Sequence, residues 1–251
     1  MVLRPRLNRL LCETRTPIPR DLDRLTGIGA EVPAGEAGLA DTDVAAIWKA
    51  TRRLYRTGMS PGIALCLRRN GQVILDRTLG YADPVSERLL TPDTPVCLFS
   101  ASKSITAMLV HHLAEAGRLN LDDPISRYLP DYGRQGKHRT TLRHMLTHRA
   151  GIPRPDRPVD PDILYRPDDI LDILCRARPS TLGTQAYHAI TAGFVLGAVV
   201  EKVTGEPLNT TLDRVVRQPL GMRYFTFGAT GPERARDMTT GVPLKLVDLF
   251  L

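Results

Sequence analysis

The sequence contains no long apolar run. None of its stretches approaches the roughly 20 consecutive apolar residues that span a bilayer. The first 20 residues carry basic side chains without an uninterrupted apolar core, so they do not form a recognisable secretory signal. We therefore expect no membrane partner and a cytoplasmic location.

Cysteine is also scarce, and no two of the four cysteines form a CxxC pair: Cys12, Cys66, Cys97 and Cys175. The common zinc and redox motifs are thereby excluded. His144 and His148 have the spacing of metal ligands on a helix, but the glutamate of an HExxH motif and a third ligand nearby are both missing. We expect neither a metal nor an organic cofactor.

Lysine is rare for so basic a protein. The formal net charge of +7 rests on 29 arginines and only five lysines. The arginines stand singly or in short pairs, whereas nucleic-acid-binding proteins concentrate basic residues on one face. We therefore expect a small-molecule partner and no nucleic acid, with a basic binding module kept as an alternative. The sequence does not indicate an oligomeric state.

The first part of the chain predicts one helix and a β-hairpin. Residues 1–40 show no clear period and are expected to form an irregular N-terminal arm. Apolar residues recur at helical spacing over 42–57. Two apolar runs at 62–69 and 72–80 then flank Asn70-Gly71, which is a strong hairpin signal.

The rest of the sequence is mainly helical. A helix beginning near residue 102 carries apolar residues on one face and is ended by Gly117. Further elements are predicted as helices at 142–151, 190–202 and 210–217 and as a strand at 223–229.

Together these elements predict an α+β protein. After the N-terminal arm we expect an α/β part at 41–94, a helical subdomain at 95–220, and a shortened return to the sheet at 221–251. An isolated two-stranded hairpin is marginally stable, so the sheet needs further strands. The architecture expected is a helical subdomain packed on an incomplete antiparallel sheet with a flanking helix.

Two serine motifs compete for the role of nucleophile. The first, Gly58-Met59-Ser60-Pro61-Gly62, has the letters of the G-x-S-x-G nucleophile elbow. That elbow needs a strand before it and a helix after it, and the predicted order here is the reverse. Pro61 also lacks the backbone N–H that the residue after the nucleophile must donate. We interpret this motif as a turn.

The second motif is Ser100-x-x-Lys103 at the start of the predicted long helix. Positions three apart share a helix face, so Lys103 Nζ can reach Ser100 Oγ. A serine hydroxyl needs a neighbouring base to act as a nucleophile. Lysine can exchange a proton, whereas arginine, which this chain otherwise prefers, does not deprotonate in proteins. On this motif alone, a solvated surface lysine after a capping serine remains an alternative.

The chain resembles the serine β-lactamase-like superfamily, which holds class C β-lactamases, D-alanyl-D-alanine carboxypeptidases and related serine esterases. The resemblance covers about residues 55–228 and rests on the segments TPVCLFSASKSITAMLVHHLAEAGRLNLDDPISRYLP, TTLRHMLTHRAGIP and AYHAITAGFVLGAVVEKVTGEPL. It implies a β-lactamase/transpeptidase-like fold, with Ser100 as the acylated nucleophile and Lys103 as its proton partner. It also implies that Tyr187 is the second-motif tyrosine, which shares or relays the proton. Whether lysine or tyrosine is the base stays open, because coupled groups titrate as a unit.

The chain departs from the family pattern in two places. The penicillin-recognising members carry Tyr-x-Asn, but here His188 and Ala189, which we expect to contact substrate, follow the tyrosine. Since Ala189 cannot hydrogen-bond a lactam or peptide amide, the resemblance favours the esterase branch. The third motif, a Lys-Thr-Gly-like or His-x-Gly-like triplet, has no match, because the triplets at 229–231 and 239–241 lack its lysine or histidine. We therefore expect the C-terminal part of the family fold to be missing, and the alternatives are a fragment, a truncated gene product or a divergent member of the family.

The resulting hypothesis is a serine hydrolase that acts on a small-molecule ester or amide through an acyl-enzyme, with carboxylic esters favoured. One alternative is a β-lactamase or D-alanyl-D-alanine carboxypeptidase. Another is a non-catalytic remnant that keeps the centre of the fold without its chemistry.

Overall fold

The chain forms two compact units. The computed structural model describes residues 18–156, 158–180 and 182–228, and the described parts of the two units are 18–97 and 98–228. The first unit holds an antiparallel sheet and one long helix, whereas the second is helical. This mixture of helices and antiparallel strands confirms the predicted α+β class.

The sheet of the first unit is built around one long central strand. Within residues 18–97 it has four strands, β1 (Thr26–Ile28), β2 (Gly62–Arg69), β3 (Gln72–Asp83) and β4 (Arg88–Leu89). Strand β3 pairs antiparallel with each of the other three, and Thr26 lies opposite Leu79. The N-terminal arm, expected to be irregular, therefore supplies a strand. With only three residues, β1 is too short to show an alternating pattern in the sequence.

The hairpin between β2 and β3 forms where the sequence predicts it. Arg69 lies opposite Gln72, so Asn70 and Gly71 are the two turn residues. Both have positive φ, at 50° and 80°, as a type I′ turn requires. The backbone twist of such a turn matches the twist of the flanking strands.

The long helix of the first unit packs against the sheet. Helix α1 (Asp41–Tyr55) buries Val44, Trp48 and Tyr55 in one cluster with Leu75 and Leu79 of β3. These helix positions are four and seven residues apart and so share one face. The helix predicted over 42–57 is thus present at almost the same bounds.

Five α-helices in the described part of the second unit enclose its core. They are α2 (Ser102–Glu115), α3 (Leu142–Leu146), α4 (Pro167–Arg176), α5 (Thr191–Thr204) and α6 (Leu208–Leu212). Leu109 of α2 and Val195 and Val199 of α5 are all fully buried in the same cluster. Their burial places α2 and α5 side by side at the centre of the unit.

A buried lysine closes the end of helix α4. Lys137 is fully buried, and its Nζ donates to the backbone carbonyls of Cys175 and Ala177. The last carbonyls of a helix have no partner within the helix and attract cations. The lysine therefore satisfies groups that would otherwise be buried without a hydrogen bond.

The strand predicted at 223–229 is wrong for its described part, because Arg223–Gly228 contains no strand. The backbone of Phe227 is bonded to a side chain instead. Asn209 Nδ2 donates to Phe227 O at 2.9 Å, and Phe227 N donates to Asn209 Oδ1 at 2.7 Å. The expected return to the sheet after residue 228, and the triplets at 229–231 and 239–241, lie outside the described residues.

None of the helices in the described ranges is both long and apolar enough to cross a lipid bilayer.

The hairpin geometry predicts a specific cost for a side chain at Gly71. An added Cβ meets no atom within 4 Å at Gly71 or at Gly35, but only Gly71 has a positive φ. We expect Gly71→Ala to lower the free energy of unfolding by about 1 kcal/mol, because left-handed backbone is costly for L-residues. Urea unfolding followed by circular dichroism measures this. Gly35→Ala is the control and should change little, and equal losses in the two variants would contradict the explanation.

Candidate active site

Ser100 lies in a tight turn that leads into helix α2. The turn is a short 3₁₀ helix, Phe99–Ala101, and the Ser100 side chain is exposed. Phe99, which precedes the serine, has a φ of 45°, which is costly for an aromatic residue. The Ser102 hydroxyl donates to the Phe99 carbonyl at 2.6 Å. This bond holds the backbone in the strained turn that presents Ser100.

Three predicted site residues meet at the Ser100 hydroxyl. Lys103 lies one turn along α2, and its Nζ donates to Ser100 Oγ at 3.2 Å. The Tyr187 hydroxyl, 87 positions away in the sequence, lies 2.7 Å from the same oxygen. Lys103 Nζ is also 5.1 Å from the centre of the Tyr187 ring. The structure therefore brings Ser100, Lys103 and Tyr187 into mutual contact.

The surroundings of Tyr187 favour its ionised form. A hydrogen bond with the Ser100 hydroxyl holds the pKa of the Tyr187 phenol below its ordinary value of 10.0. Partial burial raises this pKa, whereas the Lys103 ammonium lowers it further. As a phenol, Tyr187 donates to Ser100 Oγ; as a phenolate, it accepts the proton of the serine hydroxyl. The contact between these two oxygens can therefore carry a proton away from Ser100.

The segment that carries Tyr187 is tied to the turn after helix α3. Ala186 N donates to His148 O at 2.9 Å, and Gly183 N donates to Arg149 O at 3.0 Å. His188 N donates to His148 Nδ1 at 3.2 Å. These bonds lie on both sides of Tyr187 in the sequence, so they fix the tyrosine backbone relative to residues 148–149.

His188, predicted to contact substrate, has a different environment. It is fully buried, so its side chain presents no surface to a ligand. Its Nε2 accepts from Ile152 N at 3.2 Å, and its Nδ1 lies 2.6 Å from the Ala186 carbonyl, to which it donates. Only a neutral ring with its proton on Nδ1 satisfies both bonds. Burial and the neighbouring His148 accordingly lower the pKa of His188, although the bond to Ala186 opposes them.

His148 packs against the tyrosine. Its ring meets the Tyr187 ring edge to face at 5.0 Å between centroids, and it stacks on His188 at 5.8 Å. Burial, and then the charge of Lys103, lower the pKa of His148. Because His148 Nδ1 accepts a backbone hydrogen bond, a neutral ring suits this position.

The histidine pair considered as a possible metal site is used for local structure. The His144 ring accepts from Thr141 N at 3.1 Å, which closes the start of helix α3. Within the described residues, no group of three or more His, Cys, Asp or Glu side chains is placed to hold a metal ion.

A cavity of about 580 Å³ opens at Ser100. Ala189, the second residue predicted to contact substrate, lines it together with Ser100 and Lys103. Other lining residues come from helices α4 and α5. This volume lies within the range of small-molecule sites in proteins.

Comparison with known proteins identifies the family of the chain. Residues 51–247 match the family model described as Beta-lactamase. The chain belongs to this family. It is 30% identical over 207 residues to the Esterase/beta-lactamase LipL of Mycobacterium tuberculosis, covering 80% of this chain and 48% of LipL. It is 33% identical over 190 residues to Esterase EstB of Burkholderia gladioli, covering 69% of this chain and 48% of EstB.

A solved structure supports the same assignment. A family VIII carboxylesterase superposes with a TM-score of 0.70 at 26% identity, over 82% of this chain and 55% of that enzyme. The predicted superfamily and the β-lactamase/transpeptidase-like fold are thus confirmed. The chain spans about half the length of the curated relatives it matches.

Sequence reasoning missed the burial of His188 and its hydrogen bond with His148. Their positions carried a signal, since His188 directly follows Tyr187 and His148 precedes Gly151, a common residue after a helix. The missing information was the pairing of the two segments, which are 40 residues apart in the sequence.

The buried histidine predicts how stability depends on pH. The unfolded chain binds a proton near the ordinary histidine pKa of 6.5, but folded His188 resists protonation. The stabilisation is therefore complete above pH 6.5 and is lost as pH falls towards the lowered pKa, by at most about 1.4 kcal/mol per pH unit for one group.

We expect His188→Gln to flatten this pH dependence, measured as the free energy of urea unfolding over a series of buffers. His111→Gln serves as the control because His111 is exposed, and it should keep the wild-type slope. An unchanged slope in His188→Gln would contradict the requirement for a neutral ring.

Proposed function

We propose that this chain is a serine hydrolase that cleaves carboxylic esters through an acyl-enzyme. The observation that carries the proposal is the position of Ser100 Oγ, which lies 3.2 Å from Lys103 Nζ and 2.7 Å from the Tyr187 hydroxyl. A nucleophile within hydrogen-bond reach of proton-accepting groups is the arrangement that covalent catalysis requires. The family membership and the esterases among its relatives support it.

In the proposed reaction, Lys103 and Tyr187 act as one pair that shares its protons. The pair starts with one proton fewer than an ammonium and a phenol together carry, so it can accept one proton. Ser100 Oγ forms a bond to the ester carbonyl carbon, and its proton passes to this pair. The carbonyl oxygen becomes an oxyanion, which the backbone N–H of Ser100 can stabilise. The bond to the alcohol oxygen then breaks, and the pair returns the proton to the departing alkoxide.

Water completes the cycle along the same route. It gives a proton to the Lys103–Tyr187 pair while its oxygen attacks the carbonyl carbon of the acyl-enzyme. The bond to Ser100 Oγ then breaks and the proton returns to the serine. These steps use the three side chains, the Ser100 backbone N–H, the ester and one water molecule.

The residue after the buried histidine supports esters over amides. Ala189 lines the cavity with a methyl group, which offers no hydrogen bond to the amide of a lactam or peptide. A site that lacks this partner leaves a polar group of an amide substrate unpaired, which is costly in a desolvated site. β-Lactam hydrolysis is the second candidate, because the name of LipL joins both activities.

The proton-transfer role predicts the behaviour of four variants. Ser100→Ala and Tyr187→Phe should each lower kcat/KM for a short-chain p-nitrophenyl ester. For Tyr187→Phe, which removes a proton-transfer group, we expect a loss of about 10²- to 10⁴-fold. Lys103→Arg should lose nearly as much as Lys103→Ala, because arginine keeps the charge but does not release a proton. Wild-type activity in Lys103→Arg would mean that Lys103 supplies only charge.

A serine-directed phosphonate locates the nucleophile independently of turnover. Mass spectrometry should find the adduct on Ser100 and none on Ser60, whose motif resembles a nucleophile elbow. An adduct on Ser60, or no adduct on protein shown by circular dichroism to be folded, would refute the assignment. The second outcome would favour a non-catalytic remnant.

The preference for esters predicts the effect of a new amide at position 189. Ala189→Asn should raise the rate of acylation by a fluorescent penicillin relative to the rate of ester hydrolysis. Ala198→Asn also places an amide in the cavity, but on helix α5, and serves as the control. A larger rise in the control than in Ala189→Asn would show that the residue beside His188 does not discriminate.

A further inference from the structure

The cavity at Ser100 follows one face of helix α5. The lining residues recur at intervals of three and four positions along the chain. This spacing places them on one side of the helix. They are Ile190, Gly193, Phe194, Gly197, Ala198 and Glu201. Since a helix rises 1.5 Å per residue, the distance from Ile190 to Glu201 along the axis is about 16 Å. The cavity is thus elongated along helix α5. Ile190, three residues after Tyr187 in the sequence, lies at one end and Glu201 at the other.

The two glycines on this face of helix α5 have different surroundings. A Cβ added at Gly193 would meet no atom within 4 Å, so the space above it is open. At Gly197 an added Cβ would lie 3.2 Å from the end of the Leu208 side chain, so Leu208 packs directly over this glycine, and both residues line the cavity. Leu171 and Phe227 also line the cavity. The cavity is thus a channel with open space at Gly193 and largely apolar walls.

The charged groups in the channel are unevenly distributed. Among the described residues that line it, the charged side chains are Lys103, Asp168 and Glu201, and no arginine is present. Lys103 is bonded to Ser100. Glu201, at the far end, accepts a hydrogen bond from Leu208 N at 2.8 Å. A negative group on a bound chain would therefore meet two carboxylates, and the one cation among these lining residues, Lys103, is held at Ser100.

We propose that this channel binds the acyl chain of the ester and selects neutral aliphatic chains over chains that end in a carboxylate. The inference rests on the proposed function, because it requires Ser100 to be acylated. The acyl group stays on Ser100 while the alcohol must leave before water attacks, so an elongated channel suits the part that remains. Apolar walls favour methylene groups, and Glu201 and Asp168 repel a terminal carboxylate.

Acyl-chain length tests the channel directly. For p-nitrophenyl esters, wild-type kcat/KM should rise from acetate to hexanoate. Gly193→Val places methyl groups in the open part of the channel, and the hexanoate-to-acetate ratio should fall by about 10- to 100-fold. Gly35→Val, outside the channel, should leave this ratio unchanged. A ratio unchanged in Gly193→Val would overturn the proposal.

Charge selection is tested with a matched pair of esters. Wild type should hydrolyse the hexanoate ester at least about tenfold faster than the mono-ester of adipic acid, which ends in a carboxylate. Glu201→Gln keeps an oxygen that can accept from Leu208 N but removes the negative charge. It should therefore narrow the difference in rate between the hexanoate and adipate esters. Lys202→Gln, the adjacent exposed residue, should not narrow it. Equal or faster hydrolysis of the adipate ester by wild type would contradict charge selection.

Two further measurements separate this proposal from the proposed function. Methyl and hexyl phosphonates compare chain length by the rate of labelling at Ser100, even if turnover is slow. Absence of both labelling and hydrolysis in folded protein refutes the proposed function and this inference with it. If Ser100 is labelled at the same rate by both phosphonates, only the acyl channel is refuted. The same conclusion follows if Gly193→Val slows hydrolysis of acetate esters of longer alcohols rather than esters of longer acids.

Discussion

The hydrogen bonds at Ser100 Oγ are the constraint on which the site depends. The Ser100 oxygen accepts hydrogen bonds from a lysine in the first turn of the following helix, α2, and from a tyrosine 87 residues later. The lysine contact follows from helix geometry alone, whereas the tyrosine contact exists only if two distant segments fold together. The tyrosine is therefore the element that makes the chemistry depend on the tertiary structure.

The two histidines explain how this distant contact is maintained. A phenol on a loop would sample many positions, which weakens any contact that needs a distance near 2.7 Å. Here His188 is buried beside Tyr187 and bonded through both ring nitrogens, while His148 packs against the tyrosine ring. Neutral rings suit this task, because they pair with backbone groups and place no further positive charge beside Lys103.

The sequence predicted local features better than pairings. The hairpin turn at Asn70-Gly71 and helix α1 were accessible because turn chemistry and periodicity are local. Ser100, Lys103 and Tyr187 came from spacing and family resemblance. Strand β1 and the burial of His188 were not accessible, because each depends on a partner segment far along the chain. The strand predicted after residue 222 rested on an apolar pattern. In the structure, the backbone of Phe227 in this segment bonds to the Asn209 side chain.

Two lysines in an arginine-rich chain show why the residue type matters. Lys137 is buried and reaches two backbone carbonyls with one compact ammonium, where the planar fork of arginine has a different shape. At Lys103 the proposed chemistry needs a side chain that exchanges a proton, and arginine does not do so in proteins. A general preference for arginine explains neither position. The contacts of each ammonium explain the residue type. Lys137 closes helix α4, which contributes residues to the channel, and Lys103 donates a hydrogen bond to the nucleophile.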